Sequence, residues 1–427
     1  MKVLRLFNVI FSTFLLVCPA VFAGNGVNSP YSRHGLGLLG DHSASLNKSI
    51  GGTGCGLRLS NSINLINPAS YSSVDTLTML FDAGFTLQTG SFTEGNVKVN
   101  ARNAGFDYAA MQFRLAPKVG MTLALTPYSI VGYDFYNTSV VRDKSTDYIT
   151  TTNTYTANGG LREVIAGIGW SPVKYVAIGA DAAYLFGEIS HKIKNTYSAS
   201  TVYPANREYF ARLRAIRTDF GLQFVLPFKK NESQLVAGAK FQPGVSIKGN
   251  EYIYNTSYNN EGDARPIGSD TVCIENAFSL PQQFSAGISY VNSQFVFAAD
   301  YTLAKWSNAK AFNKAGKDMT RLSVGVMYTP EATSKKYFRR TTYSAGAYCQ
   351  SSYYYLDNGN SGPKEIGISA GMKLPLINSY NTFSTIAVSG QYVMVTPFAK
   401  GQIRENYFKI NLGITFNDRW FAKWQVQ

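Results

Sequence analysis

The 427-residue chain is poor in the groups from which most active sites are built. Its three histidines, His34, His42 and His191, lie far apart. Of four cysteines, Cys18 falls in an N-terminal apolar run, and Cys55, Cys273 and Cys349 show neither paired nor metal-ligand spacing. Three is an odd number, so no disulfide framework is implied. We expect no metal site, no cofactor and no catalytic constellation. Continuous apolar sequence is scarce as well: nothing reaches the ~18 residues that a spanning helix needs. Acid is in deficit, with 26 Asp and Glu against 40 Lys and Arg and a net charge of +14. Such a surplus raises the question of nucleic acid, but the basic residues are scattered rather than gathered on one element. No nucleic-acid partner is expected.

What is present begins with an export signal. Lys2 and Arg5 precede the apolar run from Leu6 to Val17, and Val21-Phe22-Ala23 forms a small-x-Ala cleavage site. Residues 1–23 therefore read as a removed signal peptide, whose loss takes two positive charges and no acid and leaves +12. Bulky Val17 before Cys18 and Pro19 after it argue against lipidation there.

From Thr76 to Phe416 the chain alternates. Leu77, Met79, Phe81, Ala83, Phe85 and Leu87 share one face, with Thr78, Asp82, Gly84, Thr86 and Gln88 on the other. The last such stretch sets Phe408, Ile410, Leu412, Ile414 and Phe416 against Lys409, Asn411, Gly413 and Thr415. Successive strand side chains point to opposite faces, and apolar alternation on every strand is what a closed barrel in lipid requires. A mean hydropathy of -0.10 is no objection, because only every second residue meets lipid. The 27 Phe and 28 Tyr suit interfacial girdles.

The pattern predicts an all-β fold, a 14-stranded antiparallel transmembrane barrel. Its strands fall near 76–90, 106–116, 119–136, 157–171, 173–192, 207–226, 232–248, 278–291, 294–305, 318–329, 340–355, 364–376, 383–398 and 404–416. Pro117-Lys118, Ser171-Pro172 and Asn292-Ser293 make short turns, whereas longer polar excursions follow strands one, three, five and seven. That asymmetry is the outer-membrane pattern, and an even count returns both ends to the periplasm. The run Tyr148 to Tyr155 goes into a long extracellular hairpin extension, since a separate strand there breaks both the evenness and the loop alternation.

Residues 24–74 differ: they are rich in Gly, Ser and Asn, yet carry Leu38, Leu39, Ile50, Leu57, Leu59, Ile63, Leu65 and Ile66 as apolar anchors that a disordered linker does not need. We expect an N-terminal hatch over 24–74 and a barrel over 75–427. The inward charges are of both signs, Asp82, Asp181, Asp219, Asp300 and Glu365 with Arg217, Lys240, Arg321, Lys373 and Lys409. Such a mixture suits pairing with a plug better than an ion-selective pore. Inward Gly84, Gly179, Gly221, Gly238, Gly287, Gly325, Gly367 and Gly371 leave room for something to press on the wall. Strand three alone breaks the rhythm, at Pro127 with Gly132 following. A mid-strand proline forfeits a ladder hydrogen bond, so Pro127 marks either a gap in the wall or an interface turn.

These features resemble the FadL/TodX (OMPP1) family of outer-membrane transporters of hydrophobic compounds, in particular Bacteroidetes-type members, over the whole mature chain. Asn67-Pro68-Ala69 before the first strand carries the resemblance. Asn28-Ser29-Pro30-Tyr31-Ser32-Arg33, Gly51-Gly52-Thr53-Gly54, Ala116-Pro117-Lys118, Thr126-Pro127-Tyr128-Ser129 and Tyr184-Leu185-Phe186-Gly187 accompany it in order. The resemblance implies a hatch filling the lumen, capture of long-chain fatty acids or similar hydrocarbons in an extracellular groove, and sideways release where strand three is kinked. Burial of roughly 0.8 kcal/mol per CH₂ favours such a route. No arginine or lysine matches a carboxylate-binding position, and the capture segments 137–156 and 249–277 are polar for a greasy groove.

Other readings stay open: a general diffusion porin, or a protein-binding accessory barrel of a secretion or assembly system. An outer-membrane hydrolase is disfavoured by the dispersed histidines. The expected partners are outer-membrane lipid or lipopolysaccharide, with Arg212 and Arg214 near lipid phosphates, a hydrophobic small-molecule ligand, and the barrel-assembly machinery for insertion. A monomer is expected.

Overall fold

The computed structural model describes residues 27–76, 78–142, 148–199, 202–228, 233–258, 266–356, 359–376, 384–398 and 402–419. The expected signal peptide lies outside them. The wall is built from fourteen strands. They are β1 (Thr78–Glu94), β2 (Val97–Ala116), β3 (Val119–Arg142), β4 (Tyr148–Val173), β5 (Val176–Tyr197), β6 (Ala205–Phe228) and β7 (Ser233–Gln242). Then come β8 (Gln283–Asn292), β9 (Phe295–Ala304), β10 (Met319–Tyr328), β11 (Thr342–Gln350), β12 (Lys364–Pro375), β13 (Thr385–Thr396) and β14 (Arg404–Arg419). Each pairs antiparallel with its sequence neighbour, and β14 pairs with β1 to close the barrel.

Alternation sets the two faces. Ile178, Tyr184, Phe220, Phe224, Ile288, Phe297, Val324 and Ile368 are exposed on the outside, while Asp181, Arg217, Asp219, Ser323 and Ser369 on the same strands are buried inside. Even strand number puts both ends of the barrel on one side, which we take as periplasmic.

The extracellular side is taller than the sequence pattern predicts. β1 and β2 meet at Gly95-Asn96 instead of a long loop, paired from Met79↔Phe113 to Glu94↔Val97. β3 and β4 stay paired up to Arg142↔Tyr148, so the Tyr148–Tyr155 run extends that hairpin. The segment 249–277 holds two further paired strands, Glu251–Tyr258 and Pro266–Ile274. Above the bilayer both faces of a strand are wet, so the amphipathic signal fades while the ladder continues. β7 ends at Gln242 rather than 248 because Pro243-Gly244 interrupts it; Glu251–Tyr258 then resumes pairing with β6 at Ala211.

Candidate functional site

Residues 27–75 lie within the barrel, threaded through a short helix, α1 (Ser45–Ser49), and a 3-10 turn at Pro68–Ser73. The wall is shaped to receive them. A Cβ at Gly238 collides with the Cys55 carbonyl, one at Gly179 with Pro68, one at Gly221 with Asn67, and one at Gly325 with Ile50. Gly287 and Gly371 also face this segment, at Cys55 and Ser49. Gly84 and Gly367 do not: they make room for the rings of Tyr108 and Tyr348. Gly120, Gly346 and Gly413, absent from the expected set, press on Tyr71, Ile50 and Ser45.

The Asn67-Pro68-Ala69 motif has a local job. Asn67 caps the turn by accepting from the Ala69 N–H at 3.1 Å, and its amide donates to the Cys55 carbonyl at 2.8 Å. Pro68 occupies the first turn, where its missing N–H costs nothing.

The ten expected inward charges all lie on the lumen side, and four of them, Asp300, Arg321, Lys373 and Asp181, hold the segment directly. Asp300 accepts from the Cys55 N–H at 2.7 Å. Arg321 donates to the Gly51 carbonyl at 3.2 Å and pairs with Asp41 at 3.5 Å. Lys373 donates to Ser62 at 2.6 Å, and Asp181 accepts from Tyr71 at 3.3 Å. Asp219 is held by Lys240 at 2.7 Å and lies 3.6 Å from Arg217. Glu365 accepts from Tyr348, Lys409 lies over the Tyr407 ring, and Asp82 is buried near the periplasmic end.

Burial works against the Asp41 carboxylate, but Arg321 and the Ser43 hydroxyl outweigh it and hold the group below the usual range. Burial, with Asp300 nearby, pushes the Cys55 thiol up to about 12, so it is an inert packing group.

Three acidic anchors escaped the sequence reading. Glu163, fully buried, collects Arg217 at 3.2 Å, Thr126 at 3.0 Å and His42 at 2.9 Å. It shares the inward face with Leu161 and Ile165, so register alone was enough to find it. Glu405 accepts from Ser29 at 2.8 Å, on the same inward face as Lys409. Asp107 binds Lys48 at 2.8 Å only because the register shifts between Gly84 and Phe85. A bulge re-aims a side chain, and nothing in the alternation announces it.

The break expected at Pro127 is larger than one missing rung. The β2–β3 ladder ends at Ala109↔Leu125, so β2 above Ala109 and β3 above Leu125 run on without pairing to each other. The β3–β4 ladder continues past Pro127 with a bulge before Ser129. In place of β2, the lumen segment pairs with β3: Leu38↔Ile130 and Leu39↔Ser129 are antiparallel partners. The Gly40 N–H donates to the Tyr128 carbonyl at 2.7 Å and the Ser29 N–H to the Gly132 carbonyl at 3.0 Å. Pro127 and Gly132 thus flank a seam in the wall that the N-terminal segment covers.

Two cavities flank the seam region. One of about 220 Å³ reaches from Gly105, Phe106 and Pro127 at the seam to Tyr348, Glu405 and Lys409 across the lumen. The other, about 530 Å³, lies at the extracellular mouth and is rich in rings, among them Tyr133, Tyr155, Tyr209, Phe312 and Tyr353. Among the described residues no His, Cys, Asp and Glu cluster is arranged to hold a metal ion.

A closed 14-stranded barrel with this outward apolar band is an outer-membrane β-barrel of FadL-like fold. It superposes on the Pseudomonas putida toluene transporter TodX with a TM-score of 0.60 and 12% identity, covering 90% of this chain and 100% of that one. The CymD monoaromatic hydrocarbon channel gives 0.59 at 12% identity over 90% and 99% of the two chains. A Pseudomonas aeruginosa FadL homologue gives 0.54 at 11% over 90% and 98%. Identities this low establish the fold and leave the cargo undetermined. The chain belongs to the BamG family, whose sequence profile matches residues 6–427. No curated protein matches it.

Proposed function

We propose that the protein carries hydrophobic small molecules across the outer membrane, long-chain fatty acids or comparable lipids and hydrocarbons, and releases them sideways between β2 and β3. The observation that carries this reading is the ladder ending at Leu125, where β3 is bordered by a two-residue strand of the lumen segment instead of by β2. An apolar solute leaving there enters lipid without crossing water, so its transfer free energy favours exit. The aromatic cavity at the extracellular mouth is the entry site, and its 530 Å³ is within the range of small-molecule pockets. The lumen segment acts as the plug that keeps the barrel closed to water. The Bacteroidetes-type opening motifs belong to this same reading. It is tested by uptake of a labelled hydrocarbon and a labelled fatty acid into cells with and without the protein. Loss of either uptake on deletion is expected; unchanged uptake of both contradicts the reading.

A second reading, a barrel that binds a protein partner and carries no solute, is favoured by the density of the plug attachments. The segment meets the wall through Lys48–Asp107, Arg321–Asp41 and the Glu163 cluster as well as the glycine contacts. Full retention of the plug during uptake, together with unchanged uptake on deletion, supports this alternative.

A further inference from the structure

The outer wall of β4 to β6 carries cations at the height where the headgroups of a surrounding bilayer begin. From Val176 to Phe186 the outward residues of β5 are Ile178, Ala180, Ala182 and Tyr184. Ten residues at ~3.3 Å each, tilted about 40°, rise ~25 Å, the height of the apolar band of such barrels. Phe186 therefore marks the outer edge of the hydrocarbon, and its ring stacks on Tyr184 with centroids 5.7 Å apart, as an aromatic girdle does.

Along that edge the register aligns Arg162 of β4, Phe186 of β5, Arg214 of β6 and Lys248 of the chain beyond β7. Residues directly opposite share a face, so three cations line one row, with Arg162 and Arg214 two strand spacings apart, ~10 Å. Higher up the wall the charges are neutralised within the protein: Arg212 pairs with Glu188 at 2.7 Å and Lys192 with Glu208 at 3.4 Å. No acidic residue stands in the row itself, and the described residues give Arg214 and Lys248 no acidic partner.

We propose that Arg214 and Lys248 form a site on the outer wall for a phosphate of a phosphorylated glycolipid of the outer leaflet. A phosphorylated disaccharide headgroup fits the arrangement because a phosphate dianion matches two adjacent cations, and its acyl chains lie along Tyr184, Ile216 and Phe220 below. Arginine and lysine at an interface each contribute about 1 kcal/mol toward anionic lipid. Arg212, which the sequence alone groups with Arg214, is outside the site because Glu188 occupies it.

The test uses the full protein in phosphatidylcholine nanodiscs, titrated with diphosphoryl lipid A. The wild type is expected to bind it, and an Arg214→Gln/Lys248→Gln variant to bind about thirtyfold more weakly. Arg212→Gln is expected to bind like the wild type. Heat-modified gel migration verifies that each variant is a folded barrel. Equal binding by the double variant overturns the proposal. So does equally tight binding of phosphatidylglycerol or of dephosphorylated lipid A, which shows a diffuse attraction for any lipid surface.

Discussion

The two halves of the barrel are built differently. β1 to β6 run 17 to 26 residues, stand above the membrane, and contain the bulges at Asp107 and Tyr128, the seam and the row of outward cations. β8 to β13 run 9 to 12 residues and pair without a register shift. The tall half grips the N-terminal segment with buried ion pairs, Lys48–Asp107 and the Glu163 cluster with His42. The low half grips it without a buried ion pair, through neutral hydrogen bonds such as Ser369 to the Ser49 carbonyl at 3.0 Å and Gln391 to the Lys48 carbonyl at 2.8 Å, through the single charged groups of Asp300 and Lys373, and through the more open Arg321–Asp41 pair. Regular pairing provides a wall. The bulges and the seam are collected on the other side of the barrel.

The largest effect that separates the halves comes from the buried cluster. Arg217→Met leaves Glu163 and Asp219 without their guanidinium, and breaking a buried pair in this way costs about 3–5 kcal/mol. Tyr348→Phe in the low half removes one hydrogen bond to Glu365 and costs about 1 kcal/mol. Urea unfolding from lipid vesicles measures both; equal losses erase the distinction.

Next in size is displacement of the plug. Gly179→Leu drives a side chain into Pro68 and is expected to produce steady current in planar bilayers. Gly390→Ala in the low half, where the nearest atom is 4.0 Å away, leaves the barrel closed. A tight Gly179→Leu barrel contradicts the plugging role.

A smaller effect follows from acid. The Asp41 carboxyl sits below its ordinary value in the folded protein. Its pairing with Arg321 therefore stabilises above the unfolded value of ~3.9 and is lost as pH falls through the folded value. Hydrogen exchange at residues 38–52 is expected to rise on acidification and to be raised already at pH 7 in Asp41→Asn. An Asp41→Asn segment protected like the wild type at pH 7 removes this pair from the attachment.

Pro127→Ala is expected to change least. The β2 ladder has already ended at Leu125, so a restored N–H gains no β2 partner, and hydrophobe uptake falls only modestly, if the added donor draws β3 toward β4. A complete loss of uptake makes Pro127 itself, rather than the seam, the determinant.

Much of this architecture was legible in the sequence. The period of two placed the fourteen strands because burial of one face in lipid fixes it over the membrane band, as at Phe408 to Phe416. Pro127 flagged the strand on which the β2 ladder ends, since a missing donor is a property of the residue itself. What was not legible depended on partners far away. Asp107 reads as lipid-facing until a bulge turns it inward, and the extent of the seam is set by where β2 and β3 part, which neither strand encodes locally. The wet upper strands lost their pattern for lack of a greasy side. Gly120, Gly346 and Gly413 acquire meaning only once the chain that presses on them is in place.

The central claim is that the N-terminal segment, zipped to β3 at Leu38↔Ile130, closes a seam through which cargo leaves. Leu38→Cys/Ile130→Cys, in a background with Cys273 and Cys349 changed to Ser, joins the two by a disulfide, since opposed residues of paired strands lie within bridging distance. Hydrophobe uptake into proteoliposomes is then measured oxidised and reduced. The account predicts that oxidation abolishes uptake and reduction restores it. Uptake that is equally fast with the disulfide intact contradicts it.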